Sequence, residues 1–210
     1  MIKGPIIILA NGDYPSHPIP LSKIETAGSI ICCDGAAAQL IKNGYEPHII
    51  IGDLDSIDSD IQKKYQEKLY HIPDQDENDL RKAIDWINKN EMERATILGA
   101  TGKRDDHSLA NIFTILQVKI NCKCNIITDN GEFSIAEGEM TFNSFRGQQI
   151  SIFSVNQNIE ITSTNLKYNL NKYKLCNLYN CTLNESISDF FTLTISQEKV
   201  LVYQAFQQVS

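Results

Sequence analysis

The first 128 residues alternate between short apolar runs and stretches with helical spacing, and this rhythm restricts the fold more than any other feature of the chain. PIIILA, SIICC, HIIIGD, LYHIP, ATILG and NIIT have the length and composition of buried strands. Between them, GAAAQLIKN, DSDIQKKYQEKL, NDLRKAIDWINKN and DDHSLANIFTILQVKI read as helices. In the third helix Leu80, Ala83, Ile84 and Ile87 recur at helical intervals, and in the fourth Leu109, Ile112, Phe113 and Leu116 do so, giving each one apolar face for a sheet. Such alternation predicts a mostly parallel sheet covered on both sides.

Past residue 130 the texture changes. The chain becomes rich in Asn, Thr, Ser and aromatics, and QQISIFSV, IEITST, DFFTLTI and KVLVYQAF alternate polar with apolar residues. That pattern predicts an antiparallel sandwich or barrel. Gly131 and Gly138 suit turns at the junction. We therefore expect an α/β domain over residues 1–130 and an all-β sandwich over 131–210.

A formal net charge of −7 gives no basic footprint for nucleic acid. No stretch approaches the roughly 20 apolar residues of a membrane span. The N-terminal GPIIILANGD reads as a strand rather than a secretion signal. Cys32 and Cys33 sit inside an apolar run, and neither Cys122-x-Cys124 nor the Cys176/Cys181 pair has zinc-knuckle spacing. Reduced thiols in a cytoplasmic protein are the expectation.

Four acidic clusters follow directly on strand candidates: CCDGAA (Asp34), GDLDSID (Asp53, Asp55), PDQDENDL (Asp74, Asp76, Asp79) and GATGKRDDH (Arg104, Asp105, Asp106, His107). Ligands of open α/β sheets collect outside the carboxyl ends of the strands, so these distant segments should meet on one rim. Asp53 and Asp55 share a short loop that can aim two carboxylates one way, as a hard cation requires. Alone, GDLDSID is equally a turn and helix start capped by Asp55 or Ser56. Asn78 can cap the helix that Asp79 opens, but capping does not account for so many acids in one small loop, whose charges repel unless a cation or water screens them. Asp74 and Glu77 are expected to be solvated. In GATGKRDDHS, Gly99 and Gly102 permit close backbone approach to a phosphate ahead of a helix N-terminus. Arg104 can clamp that phosphate with Asp106 orienting it, or the two can simply pair at the helix start.

The ordered set NGD, DGAA, GDLDS, DQDxxD and GATGxRxDHxxAN, spanning most of the first 112 residues, resembles the thiamine pyrophosphokinase family. The resemblance implies transfer of the β,γ-diphosphoryl group of ATP to thiamine, giving thiamine diphosphate and AMP. It also implies a catalytic α/β domain, a C-terminal thiamine-binding and dimerisation sandwich, and a homodimer sharing the thiamine site. By the same resemblance Asp53, Asp55 and Asp79 are Mg2+ ligands with Asp34 nearby. Asn11, Gly12, Asp34, Gly99, Thr101 and Arg104 serve the nucleotide, and Asp79, Arg104 and Asp106 the catalysis. Gln75, Asn184 and Ser186 face thiamine. TNLKYNL resembles the family's GLKYPL, with Asn165 for Gly and Asn169 for Pro, and LNES resembles an SNE segment, with Leu183 displacing the serine. Trp86 lies on an N-terminal helix, so Tyr168, Tyr179 and Phe190 are candidate thiamine contacts, each otherwise a core residue. The same carboxylates also suit a metal-dependent hydrolase or nucleotidyltransferase, or a noncatalytic nucleotide or thiamine sensor.

Overall fold

The computed structural model describes residues 2–207. Met1 and residues 208–210, the outermost ends of the two expected domains, lie outside the described residues. The chain divides into two compact units between Asp129 and Asn130.

The first unit contains six strands, β1 (Ile6–Leu9), β2 (Ser29–Cys33), β3 (Ile49–Gly52), β4 (Leu69–His71), β5 (Arg94–Leu98) and β6 (Lys123–Ile127). They pair in the order β4-β3-β2-β1-β5-β6, every pair parallel. Strand order runs outward in both directions from β1 and β5, which makes the gap between their carboxyl ends a topological switch point. β1, β2 and β3 are almost wholly buried, which is why their sequences are nearly continuous apolar runs rather than alternating ones.

Five helices accompany this sheet: α1 (Pro18–Glu25), α2 (Ala36–Lys42), α3 (Ser59–Lys64), α4 (Asp79–Lys89) and α5 (Asp105–Gln117). α4 packs on β2 and β3 and buries Leu80, Ala83, Ile84 and Ile87, the face expected from their spacing. Burying each of the three larger side chains contributes about 1.5–3 kcal/mol. One helix goes unread in the sequence, and two helix readings are corrected. α1 was not foreseen, because Pro18 and Pro20 look like breakers; they fall in the first turn, where proline's missing N–H costs nothing, and the His17 side chain caps Ile19 N. The DSDIQKKYQEKL helix stops at Lys64, and a separate 3-10 turn follows at Gln66–Lys68. In α5, Leu109 is 60% exposed and the buried positions are Ile115 and Leu116, so the inward face lies further along than expected.

The second unit is antiparallel. Its strands are β7 (Gly131–Asn143), β8 (Gln149–Phe153), β9 (Glu160–Thr164), β10 (Tyr173–Lys174), β11 (Asn184–Glu185) and β12 (Phe190–Ala205). β12 is the spine: it pairs with β7 along most of its length, its first half also pairs with β9, and its second half with β8. β10 extends β9 and β11 extends β8. The inward residues Ile150, Ile152, Ile161, Phe191, Leu193, Val200 and Val202 form one core between these two arms, with Phe142 stacked on Phe191 at 5.0 Å. This is the expected sandwich. DFFTLTI and KVLVYQAF are one strand rather than two, with its register shift between Thr194 and Lys199 opposite Gly138. Gly138 therefore marks an irregularity within β7, not a turn at the junction.

Candidate functional site

The loops after β1, β2, β3, β4 and β5 line one cavity of about 460 Å3 at the carboxyl ends of the parallel strands. Its wall includes Asn11, Gly12, Asp34, Asp53, Asp55, Gln75, Asp79 and Arg104. The walls approach closely because two glycines lack a side chain. A Cβ on Gly12 would collide with the carbonyl oxygens of Gly99 and Thr101, and one on Gly52 would lie 2.9 Å from Asp34 Cβ and 3.1 Å from Asp79 Oδ1. Backbone bonds Gly12 N to Gly99 O (2.7 Å) and Asp13 N to Thr101 O (2.8 Å) lock the first and fifth loops together.

Three of these loops carry a non-glycine residue in the left-handed region: Asp34 (φ 41°), Leu54 (φ 65°) and Lys103 (φ 56°). Each costs about 1–3 kcal/mol, and such strain persists only where the surroundings enforce it. For Leu54 the enforcing group is Gln62 of α3, whose Nε2 donates to Leu54 O at 2.9 Å and Ile57 O at 3.1 Å. The cap of α3 is Asp58, not Asp55 or Ser56, so Asp53 and Asp55 are left free of that duty.

Asp34, Asp53 and Asp55 each offer a carboxylate oxygen within 4.8 Å of the other two. Asp34 is 2% exposed; Ser56 N donates to its Oδ2 at 3.3 Å, while Oδ1 has no hydrogen-bond partner. Burial, and then the neighbouring charge of Asp79, push the Asp34 carboxyl up to about 6. Asp79 is also raised, by burial first, although Lys82 Nζ at 3.1 Å pulls the other way. Asp53 is lowered, chiefly because Gln75 Nε2 donates to its Oδ2 at 2.7 Å. An all-oxygen set with one orphaned buried acceptor and mutually repelling carboxylates is the surrounding a hard divalent cation satisfies. The residues present fit such an ion.

Other expected site residues lie elsewhere. Gly99 and Thr101 act through their carbonyls in the loop lock and do not line the cavity. Asp106 also lies outside the wall; Arg104 Nε and Nη2 donate to its two oxygens at 3.0 and 2.6 Å, holding its carboxyl down at about 2. Asn184 and Ser186 belong to the second unit and are buried. The Asn184 side chain accepts from Tyr168 N at 3.1 Å and from Glu185 N at 2.9 Å, and donates to Tyr168 O at 2.8 Å. Ser186 Oγ donates to Ser188 O at 2.9 Å. The Asn184–Tyr168 bonds and the Leu166–Ser186 bridge stitch the TNLKYNL loop to the LNES strand.

Sequence reasoning missed Lys82, which is 3% exposed at the cavity wall. The signal was present: a lysine three residues after Asp79, beside the apolar positions of α4. Glu77 was expected to be solvated but is half-buried in the wall, 3.6 Å from Arg81 Nε. Trp86 is a core residue, 9% exposed. Tyr168, Tyr179 and Phe190 are not: they are 64%, 73% and 46% exposed.

Comparison with known proteins agrees with this geometry. A family model for the thiamin pyrophosphokinase catalytic domain matches residues 22–128, and one for the thiamin pyrophosphokinase substrate-binding domain matches residues 131–203. Thiamin pyrophosphokinase 1 of Caenorhabditis elegans is 33% identical over 96 residues, 41% of this chain and 39% of that protein. The match therefore spans well under half of that relative's length. Thiamine pyrophosphokinase of Bacillus subtilis is 30% identical over 152 residues, 66% of this chain and 68% of the relative. The crystal structure of thiamine pyrophosphokinase from Bacillus subtilis superposes with a TM-score of 0.78 over 97% of this chain and 99% of that one at 23% identity, a likeness of fold. Since separate models of the two domains match on either side of the boundary between the units, the chain belongs to the thiamin pyrophosphokinase family.

Proposed function

We propose that the chain transfers the β,γ-diphosphoryl group of ATP to the hydroxyethyl oxygen of thiamine, forming thiamine diphosphate and AMP. The observation that carries this reading is the meeting of five motif-bearing loops, with their carboxylates, in one cavity of a chain matched to this family in both halves. Asp53, Asp55 and Asp79 hold Mg2+, joined by Asp34, whose oxygen lies within reach of the first two. Magnesium bound there supplies neutralisation of triphosphate charge.

The remaining work falls to positioning, as phosphoryl-type transfer demands. Asn11, Gly12 and the Gly99–Thr101 backbone shape the phosphate side of the cavity. Arg104, its fork fixed by Asp106, offers its remaining N–H donors to the phosphate chain. Gln75, in the loop after β4, fixes Asp53 and approaches thiamine from there. Of the two candidate proton acceptors, Asp79 and Asp76, Asp79 lines the cavity and takes the hydroxyl proton through its position there. Asn184, through its side chain, and Ser186, through its backbone bridge to Leu166, serve thiamine by holding the 165–170 loop in shape. The active form is a cytoplasmic homodimer. Exposed Tyr168, Tyr179 and Leu183, at 64%, 73% and 72%, support a partner surface on the second unit.

Incubation with ATP, Mg2+ and thiamine, followed by chromatography of nucleotides and thiamine species, tests the proposal. AMP and thiamine diphosphate should form in equal amounts. ADP, inorganic phosphate or pyrophosphate in their place indicates a hydrolase or nucleotidyltransferase, and no product at all indicates a sensor.

A further inference from the structure

Three cations line the cavity, and they are not equivalent. Lys82 is spent on Asp79 and Arg104 on Asp106. Lys103 instead donates from Nζ to Asn11 Oδ1, a neutral amide, at 2.8 Å, and among the described residues it forms no ion pair. No carboxylate of the described residues is within ion-pair distance of it, although it stands at the wall of the same cavity.

The backbone presents it there at a cost. Arg104 N donates to Gly102 O at 2.7 Å, closing a three-residue turn around Lys103 with φ at 56°, the strained form of such a turn. Position 103 is one of the open positions of the GATGxRxDH pattern, so the lysine is a feature of this chain rather than of the motif. A structural brace between the Asn11 and Lys103 loops is already supplied by the backbone bonds from Gly12 and Asp13, so the lysine is not needed for one.

We propose that Lys103 is a phosphate-binding residue of the nucleotide site, its ammonium leaving Asn11 and pairing with the triphosphate chain. This rests on the kinase reading above. An ammonium–phosphate bond is charge-assisted on both sides and stronger than one to an amide, so the exchange is favourable. Asn11 is the resting partner that keeps the long side chain extended over the cavity.

The test uses the full chain with Mg2+ and two probes, ATP and inorganic tripolyphosphate, with binding measured by calorimetry. Lys103→Gln should weaken both by roughly tenfold. It should raise KM for ATP more than it lowers kcat and leave KM for thiamine unchanged, and Lys103→Arg should restore most of the affinity. Lys103→Gly, which relieves the left-handed strain, should lose affinity equally while its melting temperature holds or rises, separating binding from folding. An affinity of Lys103→Gln within twofold of the parent overturns the proposal. If the parent makes AMP but is indifferent to this substitution, the lysine assignment fails and the kinase reading stands. If the parent makes no AMP yet binds tripolyphosphate through Lys103, the reverse holds; failure of the parent to bind either probe overturns both.

Discussion

Both units bury polar side chains, but among the described residues the buried side-chain atoms left without a hydrogen-bond partner, on Tyr14, Asp34 and Arg81, all belong to the first. In the second unit Gln148, Ser151, Ser154, Ser163, Asn184 and Ser186 are all buried, and each is hydrogen-bonded to backbone or to another side chain. In the first, Asp34 is as deeply buried, yet one of its oxygens has no partner, its backbone is left-handed, and its carboxyl is pushed up to about 6. Satisfied buried polarity builds a loop or joins two strands. Unsatisfied buried polarity next to like charges destabilises the fold, and persists where a ligand completes it.

The sharpest way to break the contrast is to remove charge from the first unit and hydrogen bonds from the second. Asp55→Asn keeps the shape of the side chain and deletes its charge, so turnover should fall roughly a hundred- to a thousandfold, about 3–4 kcal/mol of transition-state stabilisation, with unfolding little changed. A coupled AMP-release assay at saturating Mg2+ reads this, and turnover near the parent level would remove Asp55 from the metal set. Asn184→Ala should behave the other way. It strands Tyr168 N and Tyr168 O, so urea unfolding should show a loss of about 2–3 kcal/mol, with KM for thiamine raised and KM for ATP unmoved.

This difference explains what was legible in the sequence. The parallel sheet could be read because β1, β2 and β3 are buried on both faces and so written as nearly unbroken apolar runs. The meeting of Asp34, Asp53, Asp55 and Asp79 could be read because each follows a strand, and strand ends in a parallel sheet share a rim. What could not be read depends on partners far away in sequence. Nothing local distinguishes Asn184 as a bonded strut from Asn184 as a substrate contact, since its partner Tyr168 lies 16 residues away. Lys82 is the exception: its partner Asp79 is only three residues away, and that pairing could have been read. α1 was hidden because proline carries opposite meanings at the first turn and in the interior of a helix.

Asp34→Asn sharpens the comparison at a smaller scale. A carboxyl that titrates at about 6 in the folded chain, against 3.8 as its ordinary value, holds its proton more tightly when folded. Its ionisation therefore opposes folding: the cost is absent below about pH 4, grows up to the folded value, and is constant above it. The neutral isostere should stabilise the metal-free protein by about 1–2 kcal/mol at pH 7.5, after allowance for screening by cavity water, and by nothing measurable near pH 4. Mg2+ should narrow the gap at pH 7.5 by stabilising the parent more than the variant. Equal melting temperatures for parent and variant across this range would mean that Asp34 is satisfied after all.

The smallest effect belongs to Asn165, where the family-like GLKYPL segment has glycine. Asn165 has φ 62°, and Asn, with glycine, is the residue that tolerates this region with little penalty. Its carbonyl accepts from Ile187 N at 3.0 Å, and Asn169 Oδ1 accepts from Leu166 N at 3.2 Å, so a side chain at position 169 closes the turn. If position 165 matters only through its backbone, Asn165→Gly should change stability by less than about 0.5 kcal/mol, while Asn165→Ala should lose about 1 kcal/mol for the forced Cβ. Both should leave KM for thiamine where it was. A rise in that KM for Asn165→Gly with unchanged unfolding would show that the amide itself reaches the substrate. Position 165 would then join the binding residues of the first unit rather than the struts of the second.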